Sequence, residues 1–120
     1  MKAWLAIAAI NGFLAVAAGA FAAHGLRARL DAHAADIFET GARYHMYHAL
    51  AMGLAALAMR EARAQIAAWF FLAGIVLFSG SLYALALTGE RVYAFVTPFG
   101  GLSFLIGWAA LAWTALRTKA

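Results

Sequence analysis

The stretch Ile66–Leu87 reads IAAWFFLAGIVLFSGSLYALAL and contains no charged side chain. A helix needs about 20 predominantly apolar residues to cross a hydrocarbon core about 30 Å thick. This stretch has that length, so it predicts a transmembrane helix. Its glycine and serine residues predict positions where a neighbouring helix packs closely, since small residues let helix backbones approach each other in membranes.

The composition extends this prediction to the whole chain. Of its 120 residues, 67% are hydrophobic and 12% are charged, whereas a soluble domain is about half apolar and about a quarter charged. We expect an all-α integral membrane protein with a single domain over 1–120, a bundle of four transmembrane helices joined by short loops. The predicted spans are 3–23, 38–59, 66–87 and 98–116. No strands of about 10 residues with alternating polarity occur, which disfavours a membrane barrel.

The segments between the apolar blocks carry start and stop signals. Asp31 is placed to cap the helix that follows it, and Gly25 is a plausible stop after the first block. Thr97 and Pro98 are typical of a helix start, and the polar residues from Arg60 to Gln65 predict a tight turn. The residues Ala20-Phe21-Ala22 also resemble a signal-peptide cleavage site, but the long first block and the three blocks after it favour a retained span.

Basic residues near span ends predict the orientation, because cytoplasmic loops carry an excess of lysine and arginine. One side would hold Lys2, Arg60, Arg63, Arg117 and Lys119, and the other Arg27, Arg29, Arg43 and Arg91. The five-to-four margin predicts a multi-pass protein of the bacterial inner (plasma) membrane with both termini in the cytoplasm. The basic residues form no patch, so we expect the lipid bilayer, and no nucleic acid, as a partner. A homo-oligomer or a larger membrane complex is left open.

Small and polar positions inside the spans predict the helix contacts. In the first span, Ala8, Gly12, Ala15 and Gly19 lie within a narrow arc, and Asn11 at its edge is placed to hydrogen-bond across the contact. The later spans contribute further small positions. The predicted interhelical packing residues are Asn11, Gly12, Gly19, Ser79, Gly80, Ser81, Gly100, Ser103 and Gly107.

The second apolar block holds an unusual density of polar side chains. Asp36, Glu39, Arg43 and Tyr47 recur at spacings of three and four and share one helix face, with Glu39 and Arg43 spaced for an ion pair. Charge entering a membrane is costly unless it is paired or hydrated, and it usually faces the bundle interior. Two interpretations stay open, a structural clamp with Tyr47 at the interface, or a proton- or anion-handling group in a cavity.

His45 and His48 lie on the opposite side of this helix, and we expect both near the membrane interface. Two histidines three residues apart suit a metal, and His24 with His48 suits a bis-histidine haem. No acidic residue shares that face, however, and the Glu-x-x-His pattern of di-metal bundles is absent. We therefore predict no metal and no cofactor. The chain has no cysteine, no phosphate loop and no nucleophile elbow, so nothing predicts an enzyme.

Four motifs together resemble a known family. They are GAFAAHGL (Gly19–Leu26), FETGARYHMYHAL (Phe38–Leu50), LFSGSLY (Leu77–Tyr83) and TPFGG (Thr97–Gly101). This combination is similar to the YgdD/YwdK-like small membrane proteins. The resemblance implies a polytopic bacterial inner-membrane protein of unknown function. His45 departs from the pattern, where glutamine is common, so His24 and His48 are the histidines that fit it.

The functional hypothesis rests on one polar cluster. We expect His24, Glu39, Arg43, Tyr44, Tyr47 and His48 to gather at the interface, where they hold the bundle together and bind a lipid headgroup or small ligand. Cations beside tyrosines suit an anionic headgroup. The alternatives are a small oligomeric transporter or channel, a haem- or quinone-binding redox protein, and an assembly partner in a membrane complex.

Overall fold

The computed structural model describes residues 2–58 and 62–117. These residues form α1 (Lys2–His24), a 3₁₀ turn (Leu26–Ala28), α2 (Ala32–Leu57), α3 (Ala62–Gly74), a π-helical turn (Ile75–Ser79), α4 (Gly80–Thr88), a second 3₁₀ turn (Arg91–Phe95) and α5 (Thr97–Arg117). The α3 helix, the π turn and α4 follow each other without a break and make one long rod. Arg60, Glu61 and Lys119 lie outside the described residues, as does the end of the predicted second span.

Local signals set the boundaries of these helices. The Asp31 carboxylate accepts a hydrogen bond of 2.8 Å from the Ala34 amide, so the predicted cap of α2 is confirmed. The α1 helix ends at His24, as expected, but Gly25 keeps a negative φ and its amide donates to the Phe21 carbonyl. Thr97 begins α5, yet its hydroxyl donates backwards to the Tyr93 carbonyl. The threonine cap predicted there is therefore replaced by a contact with the preceding turn.

α2 is the central helix of the bundle. It packs against α1 on one side and against α3, the π turn and α4 on another, while α5 packs mainly against α3 and the π turn. Trp4 of α1 also meets Trp69 of α3 edge to face, with ring centroids 4.9 Å apart. In the part of the chain that the structure describes, all regular structure is helical, which confirms the predicted all-α class.

Three phenylalanine–glycine pairs join α5 to the rod made of α3, the π turn and α4. A Cβ on Gly74 would lie 2.3 Å from the Phe104 ring, and one on Gly107 would lie 2.7 Å from the Phe71 ring. At Gly100 the obstacle is backbone, because a Cβ there would lie 2.3 Å from the amide nitrogen of Phe78 in the π turn. The two rods approach this closely because glycine leaves room for the neighbouring backbone or ring.

The three serines predicted to pack occupy this same contact region. The Ser103 hydroxyl donates to the Phe70 carbonyl at 2.7 Å, and the Ser81 hydroxyl pairs with that of Thr97. Ser79 is fully buried, and its hydroxyl has no hydrogen-bond partner among the described residues. Hydrogen bonds between helices therefore accompany the phenylalanine–glycine pairs.

Three of the nine predicted packing positions differ from the expectation. A Cβ on Gly12 or Gly19 would meet no heavy atom within 4 Å, so α2 does not approach α1 closely there. Gly80 has only its own rod nearby, the Ile75 carbonyl oxygen at 3.9 Å. The helical spacing placed Gly12 and Gly19 on the side of α1 that faces α2. Ala8 and Ala15 on that side are buried, but Gly12 and Gly19 border open depressions.

Within the described part of the chain, three helical rods are long and apolar enough to cross a membrane: 2–28, 63–88 and 91–117. α2 is not among them, because its two buried histidines and its charged residues make it more polar. It nevertheless lies antiparallel to α1 over most of its length. Asn11 comes 13 residues before the end of α1, and His45, which it contacts, comes 13 residues after the start of α2.

Candidate functional site

One face of α2 has no neighbouring helix among residues 2–58 and 62–117. It carries Glu39, Arg43 and Tyr47, followed by leucines of which Leu50 is 63% exposed. α1 flanks this face on one side and α5 on the other. Charged side chains in an apolar helix usually face the bundle interior. Here these side chains point outwards, and the histidine side of α2 is buried instead.

The charged residues of this face form a chain of ion pairs. Arg27 of the first 3₁₀ turn lies 3.2 Å from one carboxylate oxygen of Glu39, and Arg43 lies 4.0 Å from the other. The side chains of Arg27 and Arg43 are 69% and 61% exposed, but that of Glu39 only 25%. The predicted Glu39–Arg43 pair is present, yet it is the longer of the two contacts. Arg27, which sequence reasoning had not selected, is the closer partner.

Three depressions follow one another beside α2, and together we call them the α1–α2 furrow. The first lies between α2 and the connection that precedes it, and the other two lie between α1 and α2. The three volumes are about 300, 250 and 230 Å³. Glu39 borders the first two, and Arg43 borders the second. Below the charges the furrow is lined by small residues, among them Gly12, Gly19 and Gly53, each with open space at its Cβ position. The furrow therefore joins a charged end to an apolar trough.

His48 is enclosed by aromatic side chains on the other side of α2. Its ring stacks on Phe104 with centroids 3.4 Å apart and planes inclined by 6°. Its Nδ1–H donates to the Tyr44 carbonyl at 2.7 Å, and the Trp108 Nε1–H donates to its Nε2 at 3.0 Å. Both ring nitrogens are thus occupied in a neutral imidazole. Ligation of a metal or haem would require breaking one of these hydrogen bonds.

His45 bridges three helices. The Asn11 amide donates to the Ile7 carbonyl at 2.9 Å, which leaves the Asn11 Oδ1 to accept from His45 Nε2 at 3.0 Å. The Tyr83 hydroxyl then donates to His45 Nδ1 at 3.0 Å. The polar side chains of Asn11, His45 and Tyr83 are thus paired with one another or with backbone, as a lipid environment requires. His45 was not among the predicted site residues. Its contact with Asn11 is foreshadowed only by their equal distances in sequence from the α1–α2 connection.

The substitution His45→Leu is expected to lower the free energy of unfolding by about 2 kcal/mol. The change leaves the Asn11 carbonyl oxygen and the Tyr83 hydroxyl without partners inside the bundle, and each such loss costs about 1–3 kcal/mol. His45→Gln, which keeps a donor and an acceptor, is the matched control and should lose less than half as much. Unfolding by titration with dodecyl sulfate in micelles measures both variants, and equal losses would contradict the bridging role.

The six candidate residues do not form one cluster. His24 is exposed at the end of α1 and has no hydrogen bond or ion pair within 2–58 or 62–117. Tyr44 and Tyr47 contact each other with ring centroids 5.5 Å apart, and both are partly exposed. His48 lies opposite Trp108 near the middle of α5. His45, His48 and Tyr47 therefore lie near the middle of α2, which differs from the expected interfacial position.

The arrangement of titratable groups does not resemble a metal centre. Among the described residues, no three histidine, aspartate or glutamate side chains are placed to hold one ion together. His24 and His48 lie at different heights of the bundle, so they do not face a common haem. The geometry combines an exposed ion-pair chain, an apolar furrow and buried polar bridges between helices, an arrangement suited to holding an amphiphile against a rigid bundle.

Comparisons with known proteins agree with this architecture. Residues 18–101 match the family described as "Protein of unknown function (DUF423)". The chain is 49% identical to the UPF0382 inner membrane protein YgdD of Escherichia coli K12, covering 96% of this chain and 90% of that protein. It is 47% identical to a UPF0382 membrane protein of Haemophilus influenzae, covering 97% and 95%. It is 40% identical to YwdK of Bacillus subtilis, covering 98% of each.

No solved structure matches the chain. The resemblance drawn from the four motifs is confirmed by these relatives, and the inner-membrane location agrees with the name of YgdD and with the three apolar rods. The protein is therefore embedded in a lipid bilayer. The chain belongs to the DUF423 family of UPF0382 membrane proteins.

Proposed function

We propose that the protein binds a glycerophospholipid on the exposed face of α2, with the phosphate at Arg27 and Arg43 and an acyl chain in the α1–α2 furrow. The observation that carries this proposal is the ion-pair chain at the head of an apolar trough. Two exposed guanidinium groups share one carboxylate there, which leaves a positive charge for an anion. Arginine contacts phosphate oxygens through paired N–H groups, which strengthens such contacts.

The proposal includes α2 as the fourth span. Support comes from its central position and its antiparallel packing on α1. Arg43 lies 12 residues after the cap, or about 18 Å along the axis at 1.5 Å per residue. Its side chain reaches back towards Glu39, as arginines inside membranes do when they extend to the headgroup region. The cytoplasmic position of both termini stays a prediction.

The carboxylate of Asp36 at the furrow indicates which headgroup would bind. Asp36 borders the first depression together with Arg27 and has no ion pair among the described residues. A headgroup that carries an amine beside its phosphate offers a cation to Asp36 and an anion to Arg27 and Arg43. We therefore expect a phospholipid with an ethanolamine headgroup to be retained in preference to one with a glycerol headgroup.

Replacing Arg43 with glutamine is expected to weaken phospholipid retention roughly tenfold, since one charge-assisted hydrogen bond is worth about 1.5–3 kcal/mol. Native mass spectrometry of the purified protein with added phospholipids measures the retained fraction. Arg117→Gln, at the opposite end of the bundle, is the matched control and should retain the wild-type fraction. No retained lipid in the wild type, or equal retention in both variants, would contradict the proposal.

A second variant tests the furrow itself. Gly19→Leu places a side chain in the open space beside Arg43, whereas Ala20→Leu adds the same bulk on an exposed side of α1. Only the first should reduce retention. A second copy or another membrane protein covering the α2 face is the competing proposal. It would appear as a dimer or complex mass without bound lipid, and Gly19→Leu would then shift the oligomeric state.

A transporter path through one copy of the chain has less support. That alternative predicted ionisable side chains facing the bundle interior, but Glu39 and Arg43 face outwards. The buried His45 and His48 each use both ring nitrogens in hydrogen bonds. A polar path would therefore have to form between copies of the chain, along the α2 face.

A further inference from the structure

The α2 helix also borders a groove on the side that faces α5, separate from the α1–α2 furrow. We call it the aromatic groove, and its volume is about 380 Å³. Small-molecule sites usually measure about 300–1,000 Å³ and combine apolar walls with a few polar groups. The residues that line it are Tyr44, Tyr47, His48, Phe78, Gly101, Phe104, Leu105 and Trp108.

The walls of the groove consist of rings in contact with one another. Tyr44 packs on Phe78 with centroids 4.9 Å apart, and Phe78 meets Phe104 at 5.4 Å. His48 lies flat on Phe104, and Trp108 stands against His48 with an angle of 66° between their planes. Aromatic rings prefer offset-stacked or edge-to-face partners. A flat conjugated ring is therefore a better match to this groove than a flexible chain.

Two phenol groups at the groove have no hydrogen-bond partner in the part of the chain that the structure describes. Neither Tyr44 nor Tyr47 donates a hydrogen bond to any described residue, although the two side chains are 39% and 50% exposed. Tyr47 lies about 24 Å along α2 from the cap and about 15 Å from its other end, at 1.5 Å per residue. With α2 as the fourth span, as proposed above, that height lies in hydrocarbon, where an unpaired polar group is costly. A ligand that partitions into the membrane and carries hydrogen-bond acceptors would therefore stabilise the Tyr44 and Tyr47 hydroxyls.

The floor of the groove leaves room for such a ring. A Cβ on Gly101 would make only ordinary contacts with the Phe78 ring, the nearest at 3.8 Å. Trp108 and His48 hydrogen-bond each other, so they hold the wall in place and do not compete for the ligand.

We propose that the aromatic groove binds a planar lipophilic quinone, whose ring stacks between the aromatic walls and whose carbonyl oxygens accept hydrogen bonds from Tyr44 and Tyr47. A quinone is a flat ring with two acceptors and no charge, and its apolar tail keeps it inside the membrane. It matches the ring walls, the unpaired phenols and the depth together. The proposal concerns binding alone. It rests on α2 as the fourth span of the proposed function, but it does not require the phospholipid site.

The test uses the full-length protein in detergent micelles, titrated with a benzoquinone that bears a ten-carbon tail. Because Trp108 lines the groove, binding should quench tryptophan fluorescence saturably. The double variant Tyr44→Phe/Tyr47→Phe should bind about tenfold more weakly through the loss of two neutral hydrogen bonds. Tyr93→Phe, a tyrosine outside the groove, is the matched control and should bind like the wild type.

A second variant blocks the groove without altering its polar groups. Gly101→Leu should abolish saturable quenching, while circular dichroism shows unchanged helicity. Unsaturable quenching in the wild type, or the same dissociation constant in the wild type and the double variant, would overturn the proposal. Saturable binding that survives Gly101→Leu would overturn it as well. Phospholipid retention in the Arg43→Gln variant is measured in a separate experiment, so either proposal can be contradicted without the other.

Discussion

An alanine at position 100 is expected to lower the free energy of unfolding by about 3 kcal/mol. The new methyl group would lie 2.3 Å from the amide nitrogen and 2.7 Å from the Cα of Phe78. Overpacking a well-packed contact costs about 1–3 kcal/mol, and here the obstacle is backbone, which cannot rotate away. α5 must therefore move outwards, which also strains the hydrogen bonds of Ser81 and Ser103.

Titration with dodecyl sulfate measures this change, with Gly101→Ala as the matched control. The two glycines are adjacent in the same helix, so both substitutions gain the same helical propensity. A Cβ on Gly101 lies 3.8 Å from its nearest neighbour, and that variant should be as stable as the wild type or slightly more stable. Equal unfolding midpoints for the two variants would contradict the close approach of α5 to the π turn.

A leucine at position 48 is expected to cost about 3 kcal/mol of unfolding free energy. The change removes the imidazole that stacks on Phe104 and leaves the Trp108 indole N–H without an acceptor. A buried donor that loses its partner costs about 1–3 kcal/mol. The imperfect fit of leucine between Phe104 and Trp108 adds a packing loss of similar size.

A double-mutant cycle separates these two contributions. Trp108→Phe removes the donor, so His48→Leu/Trp108→Phe leaves no unpaired N–H, and removing both partners of a hydrogen bond is often nearly neutral. The double variant should therefore lose clearly less than the sum of the single variants. Strict additivity would show that the 3.0 Å contact contributes nothing to stability. Tyr47→Phe, on the exposed face, controls for the general effect of changing a side chain on α2.

The sequence predicted the architecture because its signals are local. Apolar length identified the rods at 2–28, 63–88 and 91–117, and the Asp31 side chain identified the start of α2. Gly100 and Gly107 were recognisable because small residues in an apolar helix commonly mark a helix contact. The motifs were also sufficient to identify the family, which the relatives confirm.

The candidate site was predicted less well, because it depends on how α2 is rotated in the bundle. Spacing placed Glu39 and Arg43 on one face and His45 and His48 on the other, but spacing cannot tell which face is buried. Only the positions of α1 and α5 decide that the histidine face lies inside.

The sequence by itself therefore determined that the chain is a helical membrane protein of this family, where its helices lie and which residues share a face. Apolar length, capping and helical periodicity act within single segments, so each is readable from neighbouring residues. The tertiary structure decided that the charges face outwards, that Arg27 joins them, and that Tyr44 and Tyr47 border a groove. These features arise from contacts between residues far apart in sequence, such as His48 with Trp108, which no local signal specifies.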